Sequence, residues 1–199
     1  MDVSRKKASK ESYNAFTADS IDRLNWFITL PPPLGVVDVP NHQLIDIDEA
    51  GFFLKKVTRK HGRGHTSCRV RSIGHYQRNE PKVNLIMGIE PGNPDLPPNA
   101  DGSIVRPRRW VHITQINCNQ FVFADFINNM LTDIERYPAE GGSDNTRTLI
   151  WDNLRAHMTA YVTNTIQDRP SPNNFCSVDR SPYRPKMAPI EYCFCEVAV

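Results

Sequence analysis

Residues 44–53 read LIDIDEAGFF, and the fold turns on this stretch. Ile45 and Ile47 alternate with Asp46 and Asp48, the two-residue period of a strand with one apolar face and one polar face. Asp46 and Asp48 therefore point the same way, and Glu49 points to the opposite side. Gly51 permits a bend after the strand, which places Asp48 near its end.

Outward from there the pattern alternates between strands and helices. Residues 52–70 carry Gly62 and Gly64 among basic side chains and read as a β-hairpin. Lys82 to Ile89 (KVNLIMGI) is a buried strand, and the proline-rich stretch from Glu90 to Gly102 is a loop. Trp110 to Gln115 is a further strand. Between Asn119 and Arg136, Phe123, Phe126, Ile127, Met130, Leu131 and Ile134 recur at helical spacing. After a turn at 141–145 come a short strand at Leu149–Asp152, a helix at Met158–Gln167 and a last strand at Asn173–Val178. Pro182, Pro185 and Pro189 lead into a terminal helix with Pro189 in its first turn, where a missing N–H costs nothing. The implied fold is α/β, a mixed sheet flanked by helices. Upstream, Pro31-Pro32-Pro33 stops a short helix or extended arm at 22–30, and residues 1–20 show no periodic apolar pattern. The expected division is an arm and proline-rich linker over 1–40, then a compact domain over 41–199.

The bulk properties exclude several classes. At 199 residues, 39% hydrophobic and 23% charged, the chain suits one globular domain. No apolar run approaches the ~18–20 residues of a membrane span, and the basic N-terminus lacks a signal-peptide core. The expectation is an intracellular protein, nuclear or cytoplasmic, neither secreted nor membrane-bound. The odd number of cysteines, five, shows no disulfide framework. Net charge is only +2, yet residues 55–78 hold eight Lys/Arg, three His and no acid. A polyanion partner accounts for that segment; a solvated, charged hairpin face is the plainer explanation. His61, His65, Cys68 and His75 match no common zinc spacing, and their basic neighbours oppose a dication.

Three acids stand where strands or helices deliver them to one sheet edge. Asp48 lies in the first strand, Asp152 ends the apolar run Leu149-Ile150-Trp151, and Glu191 falls in the first turn of the terminal helix. Hard divalent cations take oxygen ligands, and a few carboxylates suffice. Each acid also has an ordinary alternative: a solvated strand acid, a turn cap or a helix-dipole partner.

LIDIDEAGF, LIWDNLRAH and SPYRPKMAPIEYCF, in that order, resemble the three signature blocks of mariner-like DDE transposases, the DDE superfamily endonucleases. The first pairs Asp48-Glu49 with Phe52. The second ends an apolar strand in Asp152-Asn153 with His157 following. The third sets Pro182-Tyr183-Arg184-Pro185 before Pro189-Ile190-Glu191. The resemblance covers roughly residues 40–199, and 38 residues separate Asp152 from Glu191. It departs at Ala188, where the family usually has Asn, and with Val199 eight residues after Glu191 the expectation is a C-terminally short domain.

The resemblance implies an RNase H-like catalytic domain in which Asp48, Asp152 and Glu191 hold two Mg²⁺ (or Mn²⁺) ions for DNA strand cleavage and strand transfer by a two-metal mechanism. Family members carry helix-turn-helix modules ahead of this domain, and residues 1–40 are too short to supply them. The alternative expectation is thus a transposase-derived DNA- or protein-binding module without turnover; a third is an RNase H-like nuclease unrelated to transposition. DNA contacts fall to Lys55, Lys56, Arg59, Lys60, Arg63, Arg108, Arg109, Arg184 and Lys186. These are long cations that neutralise phosphates and read few base edges, so binding should be largely sequence-independent. A homodimer is left open. His157 stands outside the catalytic set, near the metals or in a structural hydrogen bond, and Asn153 is a candidate to orient Asp152.

Overall fold

A computed structural model describes residues 13–53, 82–92, 107–136, 146–182, 188–190 and 193. The expected hairpin at 52–70 and the acid-free basic segment lie outside these residues, apart from Phe52 and Phe53, which end the first strand.

Helix α1 spans Ala18–Thr29, beginning four residues earlier than the sequence pattern suggests. Thr17 accounts for this, because its hydroxyl accepts the Ser20 N–H at 3.4 Å and caps the first turn. Such a cap is worth about 1 kcal/mol. Strands β1 (Leu44–Phe53), β2 (Lys82–Glu90) and β3 (Arg108–Thr114) are followed by α2 (Gln120–Arg136), β4 (Arg147–Trp151), α3 (Ala160–Gln167) and β5 (Phe175–Asp179). Asn119 starts α2 by accepting the N–H groups of Phe121 and Val122.

The five strands form one mixed sheet in the order β3-β2-β1-β4-β5. β1 pairs antiparallel with β2 and parallel with β4; β2–β3 is antiparallel and β4–β5 parallel. This bears out the mixed α/β reading. One detail differs: β1 does not bend at Gly51, which stays in register opposite Asn84. Asp48 is therefore mid-strand, opposite Met87, rather than near the strand end.

Strand parity divides the core in two. Ile45, Ile47, Ile86, Leu149 and Trp151 face α2 and α3, packing on Phe123, Ile127, Met130, Val162 and Ile166. Gly88 permits that approach, since a Cβ there would lie 3.1 Å from the Met130 sulfur. On the opposite face Leu85 and Met87 pack against Ala188 and Ile190, while Ile150 and Val178 take Phe27 of α1. The arm is thus docked on the sheet through a buried aromatic, not merely tethered to it. Trp26, the neighbour of Phe27, is 49% exposed.

A buried ion-pair cluster fastens the far edge. Both oxygens of Glu90 are engaged, one by Arg147 Nε at 2.8 Å and the other by Arg108 Nε at 2.6 Å. Arg147 is 1% exposed, a position a guanidinium tolerates only when paired.

Candidate active site

Asp46 and Asp48 are buried on the face that carries α1 and the 188–190 segment. In the parallel pairing Asp46 stands beside Ile150; carried on by two residues, that register sets Asp48 alongside Asp152, just past the end of β4.

The third block joins them through the backbone. Asp46 Oδ2 accepts the Ile190 N–H at 3.0 Å. Pro189, Ile190 and Cys193 are helical, in agreement with a helix beginning at Pro189. Glu191 itself lies outside the described residues, as do Lys55, Lys56, Arg59, Lys60, Arg63, Arg184 and Lys186. Ala188, where the family pattern has Asn, is fully buried against Leu85 and Met87.

Arg180 stands among these acids. Its guanidinium is buried, donates to Asp46 Oδ1, and holds Nη1 3.5 Å from Asp48 Oδ2. The Arg180 N–H bonds the Trp151 carbonyl at 2.7 Å, and its own carbonyl accepts from the Asn153 side chain. Asn153 therefore anchors the end of β5 rather than orienting Asp152 directly. Arg180 is not among the residues the sequence singles out; the signal for it is its place directly after β5, a strand parallel to β4.

The turn after β4 follows from its residues. Asp152 Oδ1 accepts the Leu154 N–H at 3.0 Å, and the His157 N–H bonds the Leu154 carbonyl at 2.9 Å, an Asx-initiated turn. His157 is driven inward, stacked on Phe123 with ring centroids 3.9 Å apart. Its Nδ1 lies 2.9 Å from Asp152 Oδ1 and its Nε2 2.6 Å from Glu49 Oε1. The Cys118 thiol donates to the same Glu49 oxygen at 2.8 Å.

Electrostatics follow this geometry. Burial disfavours the imidazolium, but the hydrogen bonds it donates toward Asp152, Cys118 and Glu49 outweigh it and push the His157 pKa up to about 11. Burial likewise opposes ionisation of Asp152, yet the His157 hydrogen bond and charge, the Leu154 N–H and Arg180 hold its pKa below the usual carboxylate value. Burial raises the Cys118 pKa, which keeps it a thiol and a donor.

Two sets of side chains could hold a cation. Glu49, Cys118 and His157 offer ligand atoms within 4.8 Å of one another, a mixture suited to a softer metal than Mg²⁺. In this structure Cys118 and His157 are each hydrogen-bonded to Glu49 Oε1. Asp48 and Asp152 offer carboxylates alone, as a hard cation requires. Oδ1 of Asp152 is taken by Leu154 and His157, while Oδ2 has no hydrogen bond among the described residues. That oxygen is a fitting ligand atom for Mg²⁺ or Mn²⁺.

Of the two described basic candidates, Arg108 is committed to Glu90 and lies 5.3 Å from the Trp110 ring, whereas Arg109 is exposed. Trp110 uses its indole N–H on Asp133 at 2.8 Å and packs against the core. Among the described residues no helix is long and apolar enough to cross a membrane.

No family model matches the sequence, and no curated protein matches it. Solved structures do match. A Mos1 mariner paired-end complex with Mn aligns at TM-score 0.64 and 16% identity over 99% of this chain and 52% of that one. A pre-cleavage Mos1 transpososome aligns at TM-score 0.58 and 16% identity over 78% of this chain and 42% of that one. The Mos1 transposase catalytic domain with raltegravir and Mn aligns at 0.50 and 15% identity over 80% and 60%. The chain spans about half the length of the full Mos1 chains it matches. At this identity the likeness establishes the fold, an RNase H-like mixed sheet flanked by helices.

Proposed function

We propose that this chain is a transposase-derived DDE endonuclease domain, related to the mariner-like superfamily, acting on DNA with Mg²⁺ or Mn²⁺. The observation that carries the reading is the convergence of its three signature blocks. β1 brings Asp48, the end of β4 brings Asp152, and Asp46 binds the Ile190 N–H one residue before Glu191. Asp48, Asp152 and Glu191 would hold two ions, which when bound activate a water or a 3′-hydroxyl and stabilise the leaving oxygen of a phosphodiester. The matched Mos1 complexes are with Mn, with Mg and with a left transposon end; for this chain those partners are part of the proposal.

The protein's own residues contribute in distinct ways. Arg180 offsets the repulsion of Asp46 and Asp48, which lets two carboxylates share a buried wall before any metal arrives. The hydrogen bond and charge of His157 help hold the Asp152 pKa below the usual carboxylate value. Exposed Arg109, together with the basic segment at 55–78 and Arg184 and Lys186, supplies phosphate contacts, and because such long cations read few base edges, DNA binding is largely sequence-independent.

A second reading, a DNA- or protein-binding module without turnover, draws on the nearness of Arg180 to Asp48, since a resident guanidinium competes with a metal ion for that carboxylate. One assay separates the two. Purified protein is incubated with supercoiled plasmid and Mg²⁺ or Mn²⁺, with Asp152→Ala in parallel. The endonuclease reading expects metal-dependent nicking that Asp152→Ala abolishes. DNA retention without nicking, alike in both proteins, favours the binding module.

A further inference from the structure

Glu49 and His157 lie on the helix-covered side of β1, away from Asp48, yet they reach the site through a continuous chain of hydrogen bonds. The Cys118 thiol donates to Glu49 Oε1 at 2.8 Å, Glu49 Oε1 meets His157 Nε2 at 2.6 Å, and His157 Nδ1 meets Asp152 Oδ1 at 2.9 Å. The His157 side chain is 0% exposed and stacked on Phe123, so its ring has little freedom to turn. The chain links the first signature block to the second, and neither its spacing nor its strand parity announces it.

We propose that His157 and Glu49 are positioning residues for Asp152, fixing which of its oxygens is presented to a divalent cation. Resting on the DDE reading above, the assignment adds two residues that touch no reacting atom. The physical argument is one of orientation. A carboxylate on a turn rotates about χ2 at little cost, and a rotated Asp152 would offer either oxygen. Two donors, the Leu154 N–H and the His157 imidazole, converge on Oδ1 and leave Oδ2 outward. The imidazole can hold that post only if its own plane is fixed. Phe123 stacking restrains tilt, and Glu49 at the opposite nitrogen restrains rotation within the plane. Cys118 in turn fixes the Glu49 oxygen. Partners of this kind behind a metal ligand are worth about 10–100-fold in metal affinity.

The test is Mn²⁺ titration of the full chain, following free Mn²⁺ by electron paramagnetic resonance. It uses wild type, Asp152→Asn, His157→Leu, His157→Asn, Glu49→Leu and Glu49→Gln, each checked for cooperative unfolding. Asp152→Asn should lose the site. His157→Leu and Glu49→Leu should bind about 10–100-fold more weakly. His157→Asn, whose amide can occupy the Nδ1 position and donate to Asp152, should recover much of the affinity, as should Glu49→Gln, which keeps an acceptor for the ring. If His157→Leu does not fold, the Glu49→Leu and Glu49→Gln pair decides alone. Loss in Asp152→Asn with wild-type affinity in the His157 and Glu49 variants overturns the positioning role and leaves the metal reading standing. Wild-type affinity in Asp152→Asn overturns the metal reading and the positioning role together.

Discussion

The backbone N–H of Ile190 donates to Oδ2 of Asp46 at 3.0 Å, closing a loop of 144 residues. The same carboxylate takes the Arg180 guanidinium on its other oxygen. Asp46 is therefore the clasp that draws the 188–190 segment and the end of β5 onto β1. Replacing it with Ala should release the Ile190 amide, and hydrogen exchange at that amide should accelerate while β2 amides remain protected. Unchanged protection at Ile190 would show that Ala188 and Ile190 hold the segment by packing alone.

Arg180 neutralises two buried carboxylates, so its removal leaves them facing each other. Arg180→Met should destabilise the fold by about 3–5 kcal/mol, the usual cost of stranding buried charge. Chemical denaturation measures the loss, and added Mn²⁺ should recover part of it by neutralising the same oxygens. Recovery of similar size in an Arg180→Met, Asp48→Asn double variant would mean that the ion acts elsewhere.

The Glu90 cluster makes a prediction independent of function. Arg147→Met leaves Glu90 with Arg108 alone in a buried position and should cost about 3–5 kcal/mol. Replacing Arg147 and Glu90 together with apolar residues should cost less than the single change, because the charge then left without Glu90 is that of Arg108, which is partly exposed and can be solvated. A denaturant double-mutant cycle reads this directly.

The His157 interactions give stability a defined pH dependence. Its pKa of about 11 in the folded protein lies above the ordinary 6.5, so its contribution is complete below pH 6.5 and is lost as pH rises toward 11. Asp152 has the opposite sign: its folded pKa is lowered from 3.8, so its contribution is present above that value and is lost as pH falls below it. Urea midpoints between about pH 6 and pH 10 should fall more steeply for wild type than for His157→Gln. Parallel curves would place the imidazole outside any ion pair.

Arg109 is the exposed cation on the edge strand, and Arg108 beside it is occupied by Glu90. In gel-shift titrations on unrelated duplexes at several salt concentrations, Arg109→Gln should weaken binding uniformly and reduce the salt slope by about 1. Tight binding of one sequence that survives high salt would reveal a base-reading element.

Several features were legible in the residues themselves. The alternation of Ile45 and Ile47 with Asp46 and Asp48 determined a strand and its parity, because side chains on a pleated backbone must alternate. The spacing from Phe123 to Ile134 determined α2 and the face it buries, for a helix repeats every 3.6 residues. Asp152 at the end of an apolar run marked a strand emerging from the core. All of these are local consequences of backbone geometry.

Tertiary structure decided what lies between elements. The parallel register that sets Asp46 beside Ile150 directs the end of β4, and so Asp152, toward the acidic stretch of β1, and that pairing joins strands far apart in the sequence. Arg180 looked like one cation among many until the parallel β4–β5 pairing carried it to Asp46. Parity correctly sent Glu49 away from Asp48, but only folding of the β4–α3 turn could bring His157 inward to join Glu49 to Asp152. The backbone's own periodicity is written in neighbouring residues. Partnerships between buried charges are not, because each charge needs a counter-charge that any distant part of the chain can supply.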